Sequence, residues 1–350
     1  MTGLTTPEVQ GEKVNAVGLT RKDYMGGKST LCVGCGHDSI TTHIISAYFQ
    51  SGVNPYDVAK LSGIGCSSKT PAYFLSMSHG FNSIHGRMAP VAAGVKLVNP
   101  KLNLVGVSGD GDTGSIGIGG FSHLIRRNIP MVYIIENNGV YGLTKGQFSA
   151  TADLDSKAKS GVSNAFSTID LCGLAIELGC GFVARSFSGD AKQLVPLLAA
   201  AIRYPGTAII DIVSPCITFA NHEGSTKSYP YVKDHKINLQ ELGFVQPREE
   251  ISVDYKEGDH KAIELPDGSQ LMLKKLHSSE HNLEDSIGAL KLLHEHRDRG
   301  QILTGLFVLK PVLKDYKQVF NLSDKPAVHM TDADLIPEAK TLAAINKAFK

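Results

Sequence analysis

Five short apolar runs set the pattern of the first two thirds of the chain, each closed by a glycine or polar cluster and separated by helical or irregular stretches. They are Asp57 to Ser62, Leu102 to Ser108, Met131 to Ile135, Gly181 to Arg185 and Ala208 to Val213. Short continuous apolar runs predict strands buried on both faces, and strands that alternate with helices imply right-handed crossovers and one sheet. The expected fold class is therefore α/β, a mostly parallel sheet flanked by helices. Beyond about Ala220 the pattern changes. Ala262 to Leu276 alternates on both sides of Pro266-Asp267-Gly268, as a hairpin does. Leu283, Ile287, Leu290 and Leu293 recur at helical spacing, Ile302 to Leu309 is a further strand, and Leu335, Leu342, Ile345 and Phe349 predict one amphipathic helix over Asp332 to Phe349. Residues 1–30 read as an N-terminal arm, 31–220 as the main domain and 221–350 as a smaller C-terminal extension that packs on the core or on another subunit.

Ligands of open parallel sheets sit beyond the carboxyl ends of the strands. Here the first run ends in Gly63-Ile64-Gly65-Cys66, the second in Gly109-Asp110-Gly111, the third in Glu136-Asn137-Asn138 and the fifth in Ser214-Pro215-Cys216. Residues far apart in the chain are thereby gathered on one edge as a composite site. Gly109 and Gly111 let the backbone approach a diphosphate, while Asp110 and the side-chain oxygen of Asn138 are hard ligands suited to Mg²⁺. Mg²⁺ fills its shell with a few such oxygens plus phosphate oxygens, so the pair makes sense with a phosphorylated cofactor. An isolated Gly-Asp-Gly is ordinarily a turn; the second strand ending in paired Asn tips the reading towards a site. No Walker A sequence is present, which argues against ATP.

Six cysteines add a second chemistry. Cys32-Val33-Gly34-Cys35 fits half a zinc knuckle, a redox pair or part of an iron-sulfur site. Cys66 and Cys216 lie just after strand ends on the edge that carries Asp110 and Asn138, so four thiolates can converge beside the cofactor. Cys172 and Cys180 sit in an apolar run and read as core thiols. His281, His294 and His296 read as a solvated helix face, and His37 as a helix-end residue. Lys69 and Lys145 flank the site motifs, where a cation can pair with a substrate or phosphate anion.

Charge narrows the partners. With 35 Lys and Arg against 34 Asp and Glu the formal net charge is +1, which speaks against nucleic acid or an anionic membrane. No apolar stretch approaches the roughly 18 residues of a membrane span, and the polar start has no secretory pattern. The expected address is the cytoplasm, where cysteines serve as metal ligands or core thiols more than as disulfides.

Gly109-Asp110-Gly111 with Asn137-Asn138 resembles the thiamine-diphosphate signature. Gly63-Ile64-Gly65-Cys66-Ser67-Ser68-Lys69, Ser83-Ile84-His85-Gly86-Arg87 and Tyr141-Gly142-Leu143-Thr144-Lys145-Gly146-Gln147 resemble the β subunit of a 2-oxoacid:ferredoxin oxidoreductase, in particular its 2-oxoglutarate branch. The resemblance is strong over about Leu31 to Tyr231 and weaker in the tail. It implies a thiamine-diphosphate-binding fold in which Asp110, Asn138 and the carbonyl of Val140 hold Mg²⁺. Ile64, Gly65, Cys66, Ser67, His85, Gly109, Gly111, Asp112, Gly142 and Leu143 would line the cofactor. It further implies that Cys32, Cys35, Cys66 and Cys216 hold one 4Fe-4S cluster, with Lys69 and Leu143 facing the substrate. The activity implied is oxidative decarboxylation of 2-oxoglutarate to succinyl-CoA with reduction of ferredoxin, coenzyme A being the co-substrate. An α subunit would complete the enzyme as a heterotetramer and supply the carboxylate against the cofactor's aminopyrimidine. The competing readings are pyruvate as substrate, a non-oxidative thiamine-diphosphate decarboxylase subunit whose cysteines hold a structural zinc, and a non-catalytic metal-binding module.

Overall fold

The structure is a computed structural model that describes residues 8–9, 12–157, 161–214, 216, 254–264, 270–277, 281–314 and 316–349. Its centre is a nine-stranded sheet. The strands in chain order are β1 (Val58–Ser62), β2 (His79–Asn82), β3 (Asn103–Gly109), β4 (Met131–Asn137), β5 (Phe182–Phe187), β6 (Thr207–Val213), β7 (His260–Glu264), β8 (Gln270–Lys275) and β9 (Ile302–Leu309). Their order across the sheet is β7-β8-β9-β5-β6-β4-β3-β1-β2. From β5 to β2 every neighbouring pair is parallel. All five apolar runs are strands of this parallel part, as their lack of alternation predicts.

Six helices cover the sheet, α1 (Gly36–Ser51), α2 (Met88–Val98), α3 (Ile118–Arg126), α4 (Leu171–Glu177), α5 (Ala191–Arg203) and α6 (Ser286–Asp298), and α7 (Ala339–Ala348) follows near the C-terminus. Alternate side chains of each strand serve opposite layers. In β4, Met131, Tyr133 and Ile135 join a core with Met88, Phe121, Leu171 and Leu293 from α2, α3, α4 and α6. Val132 and Ile134 face the other way, onto Ile40 and Ile44 of α1 and Leu194 and Leu198 of α5. Both faces of the sheet are thus dry, and each fully buried aliphatic side chain contributes roughly 1.5 to 3 kcal/mol.

The C-terminal strands continue the same sheet. β9 runs antiparallel to β5, with Gly305 opposite Arg185, and β7 and β8 pair as the antiparallel hairpin that the alternation predicts. The expected turn at 266–268 lies outside the described residues. The single helix expected over Asp332 to Phe349 is instead a turn at Asp332–Leu335 followed by α7. Pro337 is the reason: it disfavours the helical conformation of the residue before it, and Ile336 has ψ 124°. No side chain of α7 is buried within this chain. Among the described residues no helix is long and apolar enough to cross a membrane.

Lys60 fastens the segment that leaves β1. Its ammonium donates to the carbonyls of Phe74 at 2.7 Å and Leu75 at 3.0 Å, and burial brings its pKa down from 10.5 to about 8. An amine whose folded pKa lies below its unfolded value binds fewer protons in the folded state, so it costs stability while protonated and stops doing so as pH rises through that window. Between pH 8 and 10 the wild type should therefore gain stability relative to Lys60→Met. Paired urea titrations across that range check this, and a constant difference would show that the amine is solvated.

Candidate functional site

The carboxyl ends of β1, β3 and β4 open into one cavity with about 500 Å³ of empty volume, its mouth included. Thirteen residues singled out from the sequence line it: Ile64, Gly65, Cys66 and Ser67 beyond β1, His85, then Gly109, Asp110, Gly111 and Asp112 beyond β3, and Asn138, Val140, Gly142 and Leu143 beyond β4. Lys69 is not among the lining side chains. It sits in the 3₁₀ segment Ser67–Tyr73 with its ammonium 3.4 Å from the carbonyl of Thr30, close enough to Cys66 to favour that thiolate.

Asp110 is 1% exposed, and its surroundings explain how a buried carboxylate is tolerated. Its Oδ2 accepts from the Ser149 hydroxyl and, at 2.5 Å, from the Thr151 hydroxyl; Oδ1 faces the backbone N–H of Asn138 at 3.4 Å. Asn138 folds back so that its side-chain oxygen accepts from the N–H of Val140 at 3.1 Å. A carboxylate, an amide oxygen and the neighbouring carbonyl of Val140 are fastened to one another on one wall, an all-oxygen donor set of the kind Mg²⁺ selects.

Asp112 organises the opposite wall. Oδ1 accepts from the N–H of Gly86 at 2.7 Å and stands against Nδ1 of His85, while Oδ2 accepts from the Ser108 hydroxyl at 2.7 Å. Gly63 and Gly111 are required by close approach. A Cβ at Gly63 would lie 2.1 Å from Oδ2 of Asp112, and one at Gly111 would lie 2.5 Å from the ring of Tyr141, whose hydroxyl donates to the carbonyl of Gly111.

The cysteines border this cavity. Cys35 is the N-cap of α1 and turns back on Cys32 through a 3.1 Å backbone bond. Gly36 lets α1 press against Ser188 and Ser214, since a Cβ there would lie 2.6 Å from each hydroxyl. His37 then pairs with the Ser214 hydroxyl at 2.8 Å, which brings the helix start to the chain leaving β6 at Cys216. Burial raises the Cys35 thiol pKa, and the Cys216 sulfur adds to the rise; burial, Cys216 and Cys32 do the same for Cys66. Sulfurs so near one another become thiolates together only around positive charge. A Cβ at Gly142 would lie 3.4 Å from the sulfur of Cys66 and 3.7 Å from that of Cys216, so this lining glycine lets the loop beyond β4 come close to both sulfurs. Among the described residues no three His, Cys, Asp or Glu side chains are placed to hold one metal ion.

Two lining residues went unrecognised in the sequence. Glu136 is fully buried, its carboxylate accepting from Thr70 at 3.0 and 3.1 Å, and burial lifts it well above the usual carboxylate range. His37, read as a helix-end residue, is buried 3.6 Å from Glu136 and its pKa is pushed down to about 4 by that burial. An acid closing an otherwise apolar strand was the available signal for Glu136; nothing local marks His37. His296, read as solvated, is buried against Gln301 at 2.7 Å, and His281 meets the carbonyl of Phe307. His294 fits the surface reading, paired with Arg297 in the open. Cys172 and Cys180 are buried core thiols, as expected.

Residues 63–212 match the family described as thiamine pyrophosphate enzyme, C-terminal TPP binding domain. The chain is 40% identical over 208 residues to a 2-oxoacid:ferredoxin oxidoreductase subunit beta of Saccharolobus solfataricus, covering 59% of this chain and 68% of that protein. It is 33% identical over 241 residues to the 2-oxoglutarate synthase subunit KorB of Methanocaldococcus jannaschii, covering 67% and 88%. Among solved structures it resembles a chain of the 2-oxoglutarate:ferredoxin oxidoreductase from Magnetococcus marinus with 2-oxoglutarate, coenzyme A and succinyl-CoA bound. There the TM-score is 0.69 at 25% identity, over 91% of this chain and 95% of that one.

The wall built by Asp112 gives a direct test. Asp112→Ala strands the Gly86 N–H and should cost about 2 kcal/mol of stability. Asp112→Asn should cost distinctly less, because its oxygen can serve Gly86 while the Ser108 hydroxyl turns to accept from the new amide. Urea unfolding of both variants decides; equal losses would mean that charge rather than hydrogen bonding sets the contribution.

Proposed function

This chain belongs to the beta subunits of the 2-oxoacid:ferredoxin oxidoreductases, and on that footing we propose that it carries the cofactors of an enzyme converting 2-oxoglutarate and coenzyme A to succinyl-CoA and carbon dioxide, with ferredoxin reduced. The observation that carries the reading is the meeting of two donor sets at one strand-end cavity: the hard oxygen ligands and Cys66 share its lining, and at Gly142, also in the lining, a Cβ would lie 3.4 Å from the sulfur of Cys66 and 3.7 Å from that of Cys216. Asp110, Asn138 and the carbonyl of Val140 would hold Mg²⁺ and through it a diphosphate, and their all-oxygen chemistry fits that ion. Cys32, Cys35, Cys66 and Cys216 would hold a 4Fe-4S cluster. A structural zinc would instead hold its four donors about one ion, with Zn–S near 2.3 Å, and would leave the protein colourless. When bound, thiamine diphosphate supplies the nucleophilic carbon and electron sink that decarboxylation of a 2-oxoacid requires.

The chain's own residues bind, orient and exclude water. Asp112 holds His85 at the cavity wall, Gly111 and Tyr141 close it, and Leu143 offers an apolar surface at its mouth. The cofactor domain would span residues 31–220, with 221–350 as an extension against the core or the partner subunit. Glu136 is the buried acid nearest the cysteines, and it is turned onto Thr70 and His37. The carboxylate that activates the aminopyrimidine would therefore come from the α subunit in a heterotetramer, and this chain alone should be inactive. Ferredoxin would dock near Cys32, which is exposed together with Val33. The cytoplasm is the compartment that suits exposed cluster thiolates.

Two measurements test the reading on enzyme assembled with its α subunit and prepared without oxygen. Cys216→Ser should lower iron and sulfide per chain and bleach the visible absorption; full iron content would remove Cys216 from the ligand set. Lys69→Met should lower kcat/KM for 2-oxoglutarate by about 2 kcal/mol while leaving pyruvate nearly unchanged, since a distal carboxylate entering a dry pocket needs a cation. Equal losses would assign Lys69 to cofactor binding or the fold, and a wild-type preference for pyruvate would overturn the substrate.

A further inference from the structure

We propose that the hydroxyls of Ser149 and Thr151 are positioning residues for the metal ligand Asp110, held in place from behind by a buried relay through Asn137, Asp211 and Arg185. The proposal rests on the reading of Asp110 as a Mg²⁺ ligand. Asp110 lies between Gly109 and Gly111, and glycines that allow close approach of a diphosphate impose little restraint on the residue between them. Its restraint comes from a different loop. Ser149 and Thr151, some 40 residues on in sequence, both donate to Oδ2. Anchoring Oδ2 in this way fixes rotation about the carboxylate and leaves Oδ1 on the side of Asn138.

The hydroxyls are themselves locked. Thr151 also reaches the side-chain oxygen of Asn137 at 2.9 Å, and the Asn137 amide donates to Oδ1 of Asp211 at 3.0 Å. Asp211 can only accept, so the Asn137 amide cannot flip, and its oxygen must face Thr151. Asp211 is held by Arg185 Nε at 2.8 Å, and the same guanidinium reaches Asp170, the N-cap of α4, at 2.6 Å. The Thr151 hydroxyl therefore has two acceptors in front of it, and its hydrogen is directed towards them rather than into solvent. A line of buried polar groups runs from the N-terminus of α4 across β5, β6 and β4 to the carboxylate beyond β3, and no apolar side chain interrupts it.

Metal affinity reads this out independently of turnover. Thiamine diphosphate binding to the assembled enzyme is followed by calorimetry as Mg²⁺ is titrated, with Asp110→Ala as the variant that lacks the ligand. Removing a hydrogen-bond partner of a ligand ordinarily costs 10- to 100-fold in metal affinity. Thr151→Val should raise the apparent Mg²⁺ dissociation constant about tenfold, Ser149→Ala should raise it in the same direction, and Thr151→Ser should stay within about threefold of wild type. Mn²⁺ in place of Mg²⁺ should show a matching loss by electron paramagnetic resonance. The proposal is overturned if Thr151→Val and Ser149→Ala keep the wild-type Mg²⁺ dependence, or if Thr151→Ser is as weak as Thr151→Val, which would make shape rather than the hydroxyl responsible. If Thr151→Val does not fold, Ser149→Ala alone decides in the same way. A wild type that binds thiamine diphosphate without any need for Mg²⁺ would remove the metal reading and the positioning role together.

Discussion

The burial of one carboxylate, Asp110, constrains most of what surrounds it. At 1% exposure its charge has lost its water, a loss worth several kcal/mol unless donors or a cation replace it. Two hydroxyls replace part of that water, and both come from a loop that reaches Asp110 only because the turn after β4 folds back, the N–H of Ser149 bonding to the carbonyl of Gly139 at 3.2 Å. The hydroxyls face away from the cavity wall formed by Asn138 and Val140. A divalent cation is the partner that would complete the charge balance on that wall, and its own preference for phosphate oxygens selects the ligand. The sheet topology follows the same demand, since only adjacent parallel strands, β3 beside β4, end side by side on one edge with both chains free to turn over it.

Packing against glycine joins this polar site to the sulfur site. Gly36 allows α1 to approach Ser188 and Ser214, and Gly142 allows the loop beyond β4 to approach the sulfurs of Cys66 and Cys216. A methyl group at Gly36 would push the helix start, and Cys35 with it, away from the strand edge. Cys32 and Cys35 share a local turn at the start of α1, whereas Cys66 in the turn after β1 and Cys216 at the exit of β6 are brought towards them by backbone contact.

How much of this is legible in the sequence depends on the range of the interaction. The parallel strands are readable because burial on both faces leaves continuous apolar runs, and the strand-end motifs are readable because parallel topology fixes which ends share an edge. Asp110, Asn138 and Cys66 could be placed together on that basis alone. Glu136 could not, because its partner Thr70 lies 66 positions away and a carboxyl at a strand end is ordinarily solvated. His37 depends on Ser214, 177 positions on. The relay behind Thr151 is invisible for the same reason: Asn137, Asp211 and Arg185 each look like a lone polar residue at the edge of an apolar run. The split of the C-terminal helix, by contrast, is written in Pro337, whose restriction on Ile336 overrides the apolar spacing around it.

The cavity is finished on one side only, and the exposed apolar residues around it show which. Ile84 beside His85 is 79% exposed, Val33 between the first two cysteines 64%, and Leu143 in the lining itself 52%. Apolar surface left exposed is covered by another surface or remains a liability. On the proposed function the α subunit would be that surface. The chemistry requires the same thing, because the one buried acid at the strand ends beside the cysteines, Glu136, is committed to Thr70 and His37. On the proposed function, a subunit that closes the mouth would exclude water from the cavity and bring in the carboxylate that Glu136 cannot supply, so the exposed rim and the committed acid would both follow from dividing one site between two chains.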